Sequence, residues 1–271
     1  MTLKLVEVRT DYAATMASLG VQSVRMVATS ATRDARNKDE FFGMTAEVLG
    51  RHFSGAQAEV ISGQTEAELT FAGGVVDLDP REGPFVVADL GGGSTEIVVG
   101  EYDDDGELRI LGAQSLDIGC VRITERTLPS DPPSSGGVSE ARRVIAEALE
   151  SAAGLPLGRG KRFVGVAGTF TTLSAVAQGM AEYDSAALHN SVISLEQMRE
   201  VCARLLASTV SERRGLGPMH PGRADVIGGG ALVATALCEL MADRAGITEI
   251  TVSEKDILDG IAMSVLTRLA G

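Results

Sequence analysis

Apolar residues recur along this chain with two periods, about 2 residues as in strands and about 3.6 residues as in helices. Segments of the two kinds alternate, which predicts an α/β protein. Short β-branched segments over 23–29 and 58–62 predict strands. Apolar positions spaced three and four residues apart predict helices over 4–19, 33–53 and 66–74. The first third of the chain is therefore expected to fold in the order α-β-α-β-α.

A run of apolar strands begins at residue 84. Strands are predicted over 84–90, 96–102 and 107–118, and an Asp-Gly turn in residues 103–106 joins the last two as a hairpin. Helices and strands then alternate, with helices over 138–152, 169–181, 195–207, 224–245 and 256–270, and strands over 161–168 and 247–253. Ser194 and Gln197 form a predicted capping box at the start of the helix over 195–207.

The two parts of the chain share one repeating unit. From residue 84 the order is a three-strand meander followed by helix, strand and helix. The segment before residue 84 has the order that remains when such a meander is removed. This internal repeat predicts a two-lobed α/β fold whose first lobe is incomplete.

Composition and charge exclude several classes of protein. Hydrophobic residues make up 44% and charged residues 23% of the chain, which is typical of a globular protein. With 24 Lys and Arg against 37 Asp and Glu, the net charge of −13 excludes non-specific binding of duplex nucleic acid. Cys120, Cys202 and Cys238 lie too far apart for a recognisable zinc site. Without a signal or membrane-spanning pattern, we expect a soluble cytoplasmic protein with no membrane partner.

The turn between the strands at 84–90 and 96–102 has the composition of an anion site. In order, its residues are Asp89, Leu90, Gly91, Gly92, Gly93, Ser94, Thr95 and Glu96. Glycines leave backbone N–H groups open to one anion, and the two hydroxyls are further donors. The flanking carboxylates are hard oxygen ligands, which Mg²⁺ accepts when it also holds substrate phosphates. The alternative is a glycine-rich hairpin turn used for its geometry alone.

Other segments carry candidate residues, each with an ordinary structural alternative. Glu66 lies at the start of a helix, where it is either a general base or a carboxylate favoured by the helix dipole. Arg33 lies where a strand meets a helix, after the hydroxyl residues of 29–32. It either contacts phosphate or lies on the surface beside an ordinary helix cap. Arg223 either lines a cleft or pairs with Asp225 or another neighbour.

Taken together, these motifs resemble those of the exopolyphosphatase/guanosine pentaphosphate phosphohydrolase (Ppx/GppA phosphatase) family, within the actin and hexokinase superfamily. The matching stretches run in the family's order from residue 27 to about 262: VATSATRDARN, ISGQTEAEL, ADLGGGSTEIVVG, SLDIGCVRITER, VGVAGTFTTLSAV, RADVIGGGALV and VSEKDILDGIA. The resemblance implies an actin-like ATPase (ribonuclease H-like) fold in its short two-domain form. It implies a first lobe of residues 1–69 with 257–271, a second lobe of 70–256, and a homodimer.

The same resemblance implies a role for each candidate residue. Glu66 is expected to orient or deprotonate the attacking water, and Asp89 and Glu96 to hold Mg²⁺ directly or through water. The amides and hydroxyls of Gly91–Thr95 are expected to bind the terminal phosphoryl group, with Arg33 as a further phosphate contact. These roles agree with the chemistry of phosphoryl transfer, in which positioning and charge neutralisation matter more than a strong base.

The expected reaction is Mg²⁺-dependent hydrolysis of the terminal phosphoanhydride bond of inorganic polyphosphate, or of pppGpp to ppGpp. One part of the family pattern has no counterpart here. It is a strand-turn-strand with an Asp-x-Gly-Ser phosphate loop, which nothing before residue 23 matches. Two alternatives stay open: a sensor that binds polyphosphate or the alarmone without turnover, and a kinase of the same superfamily.

Overall fold

The computed structural model describes residues 12–28 and 37–270, and the chain divides into two compact units. Unit 1 comprises residues 1–69 and 258–271, and unit 2 comprises residues 70–257. The chain passes from unit 1 to unit 2 within the helix Gly63–Val75. It returns to unit 1 at the start of the last helix, Ile257–Ala270. Each unit is described separately below.

The described residues form eight strands and eleven helices. The strands are β1 (Met26–Ala28), β2 (Ala58–Val60), β3 (Phe85–Leu90), β4 (Thr95–Tyr102), β5 (Leu108–Leu116), β6 (Arg162–Val166), β7 (Ser191–Ser194) and β8 (Glu249–Val252). The helices are α1 (12–18), α2 (Lys38–Gly50), α3 (Gly63–Val75), α4 (Cys120–Thr127), α5 (Ser135–Glu150), α6 (Ala167–Ala177), α7 (Ser185–Leu188), α8 (Leu195–Ala207), α9 (Val210–Arg214), α10 (Ile227–Ala245) and α11 (Ile257–Ala270).

Unit 1 contains a short two-stranded sheet. Strands β1 and β2 run parallel, with Met26 opposite Ala58, and within the described part of the chain β1 pairs with no other strand. Beside them lies an apolar cavity of about 470 Å³, bordered by β1, α1, α2 and α11. Several large apolar side chains of this unit are exposed, among them Tyr12, Leu19 and Leu258. The described part of this unit therefore leaves more large apolar side chains exposed than unit 2 does.

Unit 2 is built on a six-stranded mixed sheet in the order β5-β4-β3-β6-β8-β7. Strands β3, β6 and β8 are parallel neighbours, whereas β4, β5 and β7 are attached by antiparallel pairing. Val86, Val87 and Phe163 are fully buried because helices cover both faces of the central strands. Since β3 and β6 are parallel, their carboxyl ends meet at one edge of the sheet, and the candidate site lies there.

Most elements of unit 2 agree with the sequence patterns, and the differences are local. The capping box of Ser194 and Gln197 is confirmed at the start of α8. Strand β7 and helix α4 were not expected; both are short, and α4 buries only Ile123 and Thr127 among its eight residues. Within the described residues, no helix combines the length and apolar character that a membrane crossing requires.

Candidate active site

Strands β3 and β4 place two carboxylates next to each other at the sheet edge. Asp89 lies directly opposite Glu96 in the antiparallel register, so both side chains are on the same face. Both residues are half-buried, whereas their neighbours Ala88, Leu90 and Ile97 are buried on the opposite face. Directly opposed residues have Cβ atoms about 4.5–5.5 Å apart, which is close enough for both carboxylates to serve one ligand.

A hydroxyl on the next strand holds one of these carboxylates. Ser115 lies opposite Glu96 in the β4–β5 register, and its Oγ donates to Glu96 Oε1 at 2.8 Å. This bond restricts the rotation of the Glu96 carboxylate without neutralising it. Nothing in the local sequence pattern pointed to Ser115, because its role depends on the register of two strands.

The backbone of the β3–β4 turn is fastened to the start of helix α4. The Gly91 carbonyl accepts from the N–H of Cys120 at 3.0 Å. The Gly92 carbonyl accepts from the N–H groups of Val121 and Arg122, at 2.9 and 3.1 Å. The Gly93 carbonyl accepts from the Nε of Arg122 at 2.6 Å. All three glycine carbonyls are therefore directed towards α4.

This arrangement leaves the other side of the turn lined with amide donors. In a planar trans peptide the N–H of one residue is directed opposite to the C=O of the residue before it. The N–H groups of Gly92, Gly93 and Ser94 are therefore directed away from α4, and we call these three groups the amide cradle. Within the described part of the chain, none of the three donates to a protein acceptor. Converging backbone N–H groups of this kind form an anion site.

Gly119 makes this contact between the turn and the helix possible. A Cβ atom at Gly119 would lie 2.5 Å from the carbonyl oxygen of Gly92 and 2.8 Å from that of Gly91. Real side chains do not approach a backbone oxygen so closely, so only glycine fits here. Gly119 and Arg122 fall within the stretch SLDIGCVRITER, but the sequence pattern assigned neither residue a role.

The position of Thr95 corrects the expectation that its hydroxyl binds phosphate. Thr95 is fully buried, and its Oγ1 donates to the carbonyl oxygen of Ile118 at 2.7 Å. A threonine hydroxyl has one proton to donate, so none remains for a ligand. Thr95 instead anchors the segment that leads into α4, while Ser94 stays half-exposed on the turn.

The junction between β6 and α6 lies beside the cradle. Asp89 pairs with Val166 across the parallel strands, and Ala167 then takes a left-handed backbone conformation, with φ of 68°. Such a conformation is strained in a residue other than glycine and is frequent at functional sites. A Cβ at Gly168 would lie 1.9 Å from the guanidinium of Arg223, which therefore packs flat against this turn.

Arg223 pairs with a hydroxyl and not with Asp225. Its Nη1 donates to Thr172 Oγ1 at 2.9 Å, and a cavity of about 470 Å³ opens beside it, lined also by Tyr183 and His220. Burial, and then a hydrogen bond to a carboxylate, raise the pKa of Tyr183 to about 12. The Tyr183 hydroxyl donates its proton to Glu254 Oε1 at 2.5 Å, so Arg223 is the side chain of this cavity that suits an anionic ligand.

The helices at this edge add to the favourable field for an anion. Helices α4, α6 and α10 all begin here, because Gly230 in the first turn of α10 packs against Thr169 of α6 and Cys120 of α4. Helix N-termini carry partial positive charge, and Arg122 and Arg223 add two full charges. The two arginine charges offset those of the Asp89 and Glu96 carboxylates at the same edge.

Of the remaining expected site residues, one belongs to unit 1 and one falls outside the described residues. Glu66 is half-buried in the first turn of α3, in unit 1, and its N–H donates to the Ser62 carbonyl at 2.9 Å. Arg33 lies outside the residues that the structure describes. The three glycines Gly228–Gly230 in the first turn of α10 are packing positions, since Cβ atoms there would meet α4, α6 and Arg213.

The carboxylates at the sheet edge suit Mg²⁺, which keeps several water ligands, better than a metal ion that takes all its ligands from the protein. In residues 12–28 and 37–270, no group of three or more His, Cys, Asp or Glu side chains converges on one point. Asp89 and Glu96 form a pair, and Mg²⁺ is commonly held by one or two carboxylates with water and substrate phosphates. A structural zinc site would need four protein ligands.

Comparisons with known proteins agree with this arrangement. The model of the Ppx/GppA phosphatase family matches residues 3–265. The chain is 54% identical over 257 residues to Exopolyphosphatase 2 of Mycobacterium tuberculosis, covering 94% of this chain and 79% of that protein. It is 31% identical to Exopolyphosphatase 1 of Mycobacterium leprae, covering 86% and 66%.

Solved structures show the same fold. The crystal structure of an exopolyphosphatase-like protein aligns with a TM-score of 0.88 and 36% identity, covering 97% of this chain and 83% of that one. A Ppx/GppA family member from Aquifex aeolicus aligns with a TM-score of 0.80 and 26% identity, covering 99% and 82%. These neighbours confirm the expected actin-like α/β fold.

Proposed function

Because this chain belongs to the Ppx/GppA phosphatase family, and is therefore a hydrolase of phosphoanhydride bonds, we propose that it removes orthophosphate from the end of inorganic polyphosphate. The observation that carries the proposal is the amide cradle, three N–H donors directed to one side of a turn that also carries two adjacent carboxylates. Polyphosphate ends in a phosphoryl group with several anionic oxygens, which such donors stabilise.

Each residue of the site has a distinct role in this reaction. The N–H groups of Gly92, Gly93 and Ser94 hold oxygens of the terminal phosphoryl group and fix its orientation. Asp89 and Glu96 would hold Mg²⁺, which when bound neutralises charge on the phosphate oxygens. These donors lower the barrier by positioning the phosphoryl group and by stabilising the charge that develops on its oxygens in the transition state.

The attacking water needs a group that accepts its proton, and we assign this role to Glu66. The water oxygen forms a new bond to the terminal phosphorus while the bridging P–O bond breaks. The electron pair of that bond leaves with the shortened polyphosphate, and the proton of the water passes to the Glu66 carboxylate. The role of Glu66 rests on the family resemblance and on its position in the first turn of α3.

The direct test is phosphate release from long-chain polyphosphate, measured by a colorimetric phosphate assay. We expect steady release with Mg²⁺ present and loss of release when EDTA is added, with recovery on adding excess Mg²⁺. Phosphate release that is insensitive to EDTA would refute the assignment of magnesium to Asp89 and Glu96. Binding of polyphosphate with no release under any of these conditions would support a sensor instead.

The 5′-triphosphate of pppGpp ends in the same phosphoryl chemistry, and the resemblance of the sequence motifs implies it as a second substrate. Chromatography of the nucleotide products distinguishes the two activities, since hydrolysis of pppGpp yields ppGpp and orthophosphate. A kinase would instead form a phosphorylated acceptor together with ADP, and only when the acceptor is present. The family resemblance also implies a homodimer, which light scattering coupled to size-exclusion chromatography would test.

A further inference from the structure

The three carbonyls of the glycine turn are held in two different ways. Backbone N–H groups of α4 hold the carbonyls of Gly91 and Gly92, whereas the side chain of Arg122 holds that of Gly93. Of these three carbonyls, only that of Gly93 can therefore lose its partner through a side-chain substitution that leaves the backbone unaltered. Its Nε lies 2.6 Å from the Gly93 oxygen, the short distance of a charge-assisted hydrogen bond.

Holding the Gly93 carbonyl also determines the direction of one cradle donor. The Gly93 C=O and the Ser94 N–H belong to the same planar trans peptide, so they are directed opposite to each other. If the Gly93 carbonyl rotates away from α4, the Ser94 N–H rotates away from the cradle by the same angle. The Arg122 side chain therefore acts on the anion site through the backbone of the turn.

The Arg122 guanidinium can hold the Gly93 carbonyl because a strong ion pair does not neutralise its charge. It forms an ion pair with Asp117, with Nη2 to Oδ1 at 3.4 Å, and the Asp117 side chain is 88% exposed. The Arg122 side chain itself is 41% exposed, so solvent weakens this pair. Arginine suits the position, because Nε can donate to the carbonyl while the rest of the planar group keeps its charge near the turn.

We infer that Arg122 is a positioning residue for phosphate binding: it orients the peptide between Gly93 and Ser94, and so completes the amide cradle. The ligand is the terminal phosphoryl group of a polyphosphate. This inference rests on the proposed function for the identity of that ligand, but the orientation of the peptide follows from the hydrogen bond itself.

Three variants of the full chain test this role. Arg122→Met keeps the apolar stem but removes the donor and the charge, and Arg122→Lys restores a charged donor on a stem of similar length. Arg126→Met is the matched control, since Arg126 is exposed and lies on the same helix, α4. Each is measured for tripolyphosphate binding by calorimetry, for kcat and KM with polyphosphate, and for Tm.

We expect Arg122→Met to weaken tripolyphosphate binding about tenfold, the usual effect of losing one charge-assisted hydrogen bond. KM should rise by a similar factor while kcat changes less, and Tm should stay close to that of the wild type. Arg122→Lys should recover most of the binding, and Arg126→Met should bind within twofold of the wild type.

Three outcomes would overturn the inference: binding by Arg122→Met equal to the wild type, an equal loss in Arg126→Met, or no binding of tripolyphosphate by the wild type. A wild type that binds tripolyphosphate but releases no phosphate, with binding lost in Arg122→Met, would support the inference while refuting the proposed hydrolysis. Normal hydrolysis by both the wild type and Arg122→Met would support the proposed hydrolysis while refuting the inference about Arg122.

Discussion

Replacing Gly119 with alanine should disable the site by separating the glycine turn from helix α4. The new Cβ would lie 2.5 Å from the Gly92 oxygen, and relief requires the separation to widen by about 0.9 Å, to the 3.4 Å at which ordinary contact begins. No flexible side chain can move aside, since the obstructing atoms belong to the backbone of Gly91 and Gly92. The turn or the helix must therefore shift.

The size of this shift sets the expected loss of activity. The hydrogen bonds from Cys120, Val121 and Arg122 to the turn are 2.9–3.1 Å long, and a displacement of about 0.9 Å lengthens them beyond useful range. The cradle amides move with the carbonyls. A misplacement of about 1 Å in a positioning group costs on the order of 100-fold in rate, so kcat/KM should fall by about that factor.

Stability should fall by a smaller amount. Overpacking of a fitted contact costs about 1–3 kcal/mol, which corresponds to a decrease in Tm of roughly 2–10 °C for a domain of this size. The matched control is Gly136→Ala, because no atom lies within 4 Å of a Cβ at Gly136 and that residue lies in helix α5 of the same unit. Its activity and Tm should equal or exceed those of the wild type.

The assay is initial-rate phosphate release from polyphosphate, with differential scanning fluorimetry on the same preparations. The reasoning is refuted if Gly119→Ala retains kcat/KM within threefold of Gly136→Ala while both remain folded. That result would show that the turn keeps its geometry without the bonds from α4, or that the cradle amides do not bind the reacting phosphoryl group.

Three further predictions follow from individual side chains. Glu66→Gln should reduce kcat about 100-fold or more with tripolyphosphate binding retained, as measured by phosphate release and calorimetry; unchanged kcat would remove Glu66 from the mechanism. Glu96→Gln should raise the Mg²⁺ concentration for half-maximal activity about tenfold or more in a metal titration, and an unchanged requirement would contradict the assignment of Glu96. Hydrogen bonds from Lys255 and then His189 hold the pKa of Asp77 below its ordinary 3.8, so its contribution to stability is present above that pH and is lost as pH falls through the lower, folded-state pKa. Urea unfolding of Asp77→Asn should therefore show a shallower loss of stability below about pH 4 than the wild type, and identical slopes would contradict this.

Local patterns identified the hairpins and several helix ends correctly because those features depend on neighbouring residues. Strands β3 and β4 read as apolar strands on either side of a glycine turn, and that turn does join them. Ser194 and Gln197 cap α8 through bonds that span three residues, so their spacing alone predicts the contact. The pairing of Asp89 with Glu96 likewise follows from a short hairpin.

Contacts between distant segments could not be predicted from local sequence patterns. Helix α4 spans only eight residues, and its first residue follows Gly119, whose need for glycine arises from a carbonyl 27 residues earlier. Arg223 was expected either to line a cleft or to pair with Asp225 or another neighbour; it borders a cavity, packs on Gly168 and bonds to Thr172, more than fifty residues away. No spacing rule links such positions.

The sequence by itself determined which chemical groups this protein brings to phosphate chemistry. They are three glycines, two hydroxyls and two carboxylates in one short turn, within an alternating α/β order. Only the tertiary structure decided which of those groups face a ligand. The Thr95 hydroxyl is buried against Ile118, while the amides of Gly92, Gly93 and Ser94 are open because α4 holds the carbonyls on the other side. The reason is that a peptide group's direction depends on the partner of its carbonyl, and here those partners come from a helix that begins after β5.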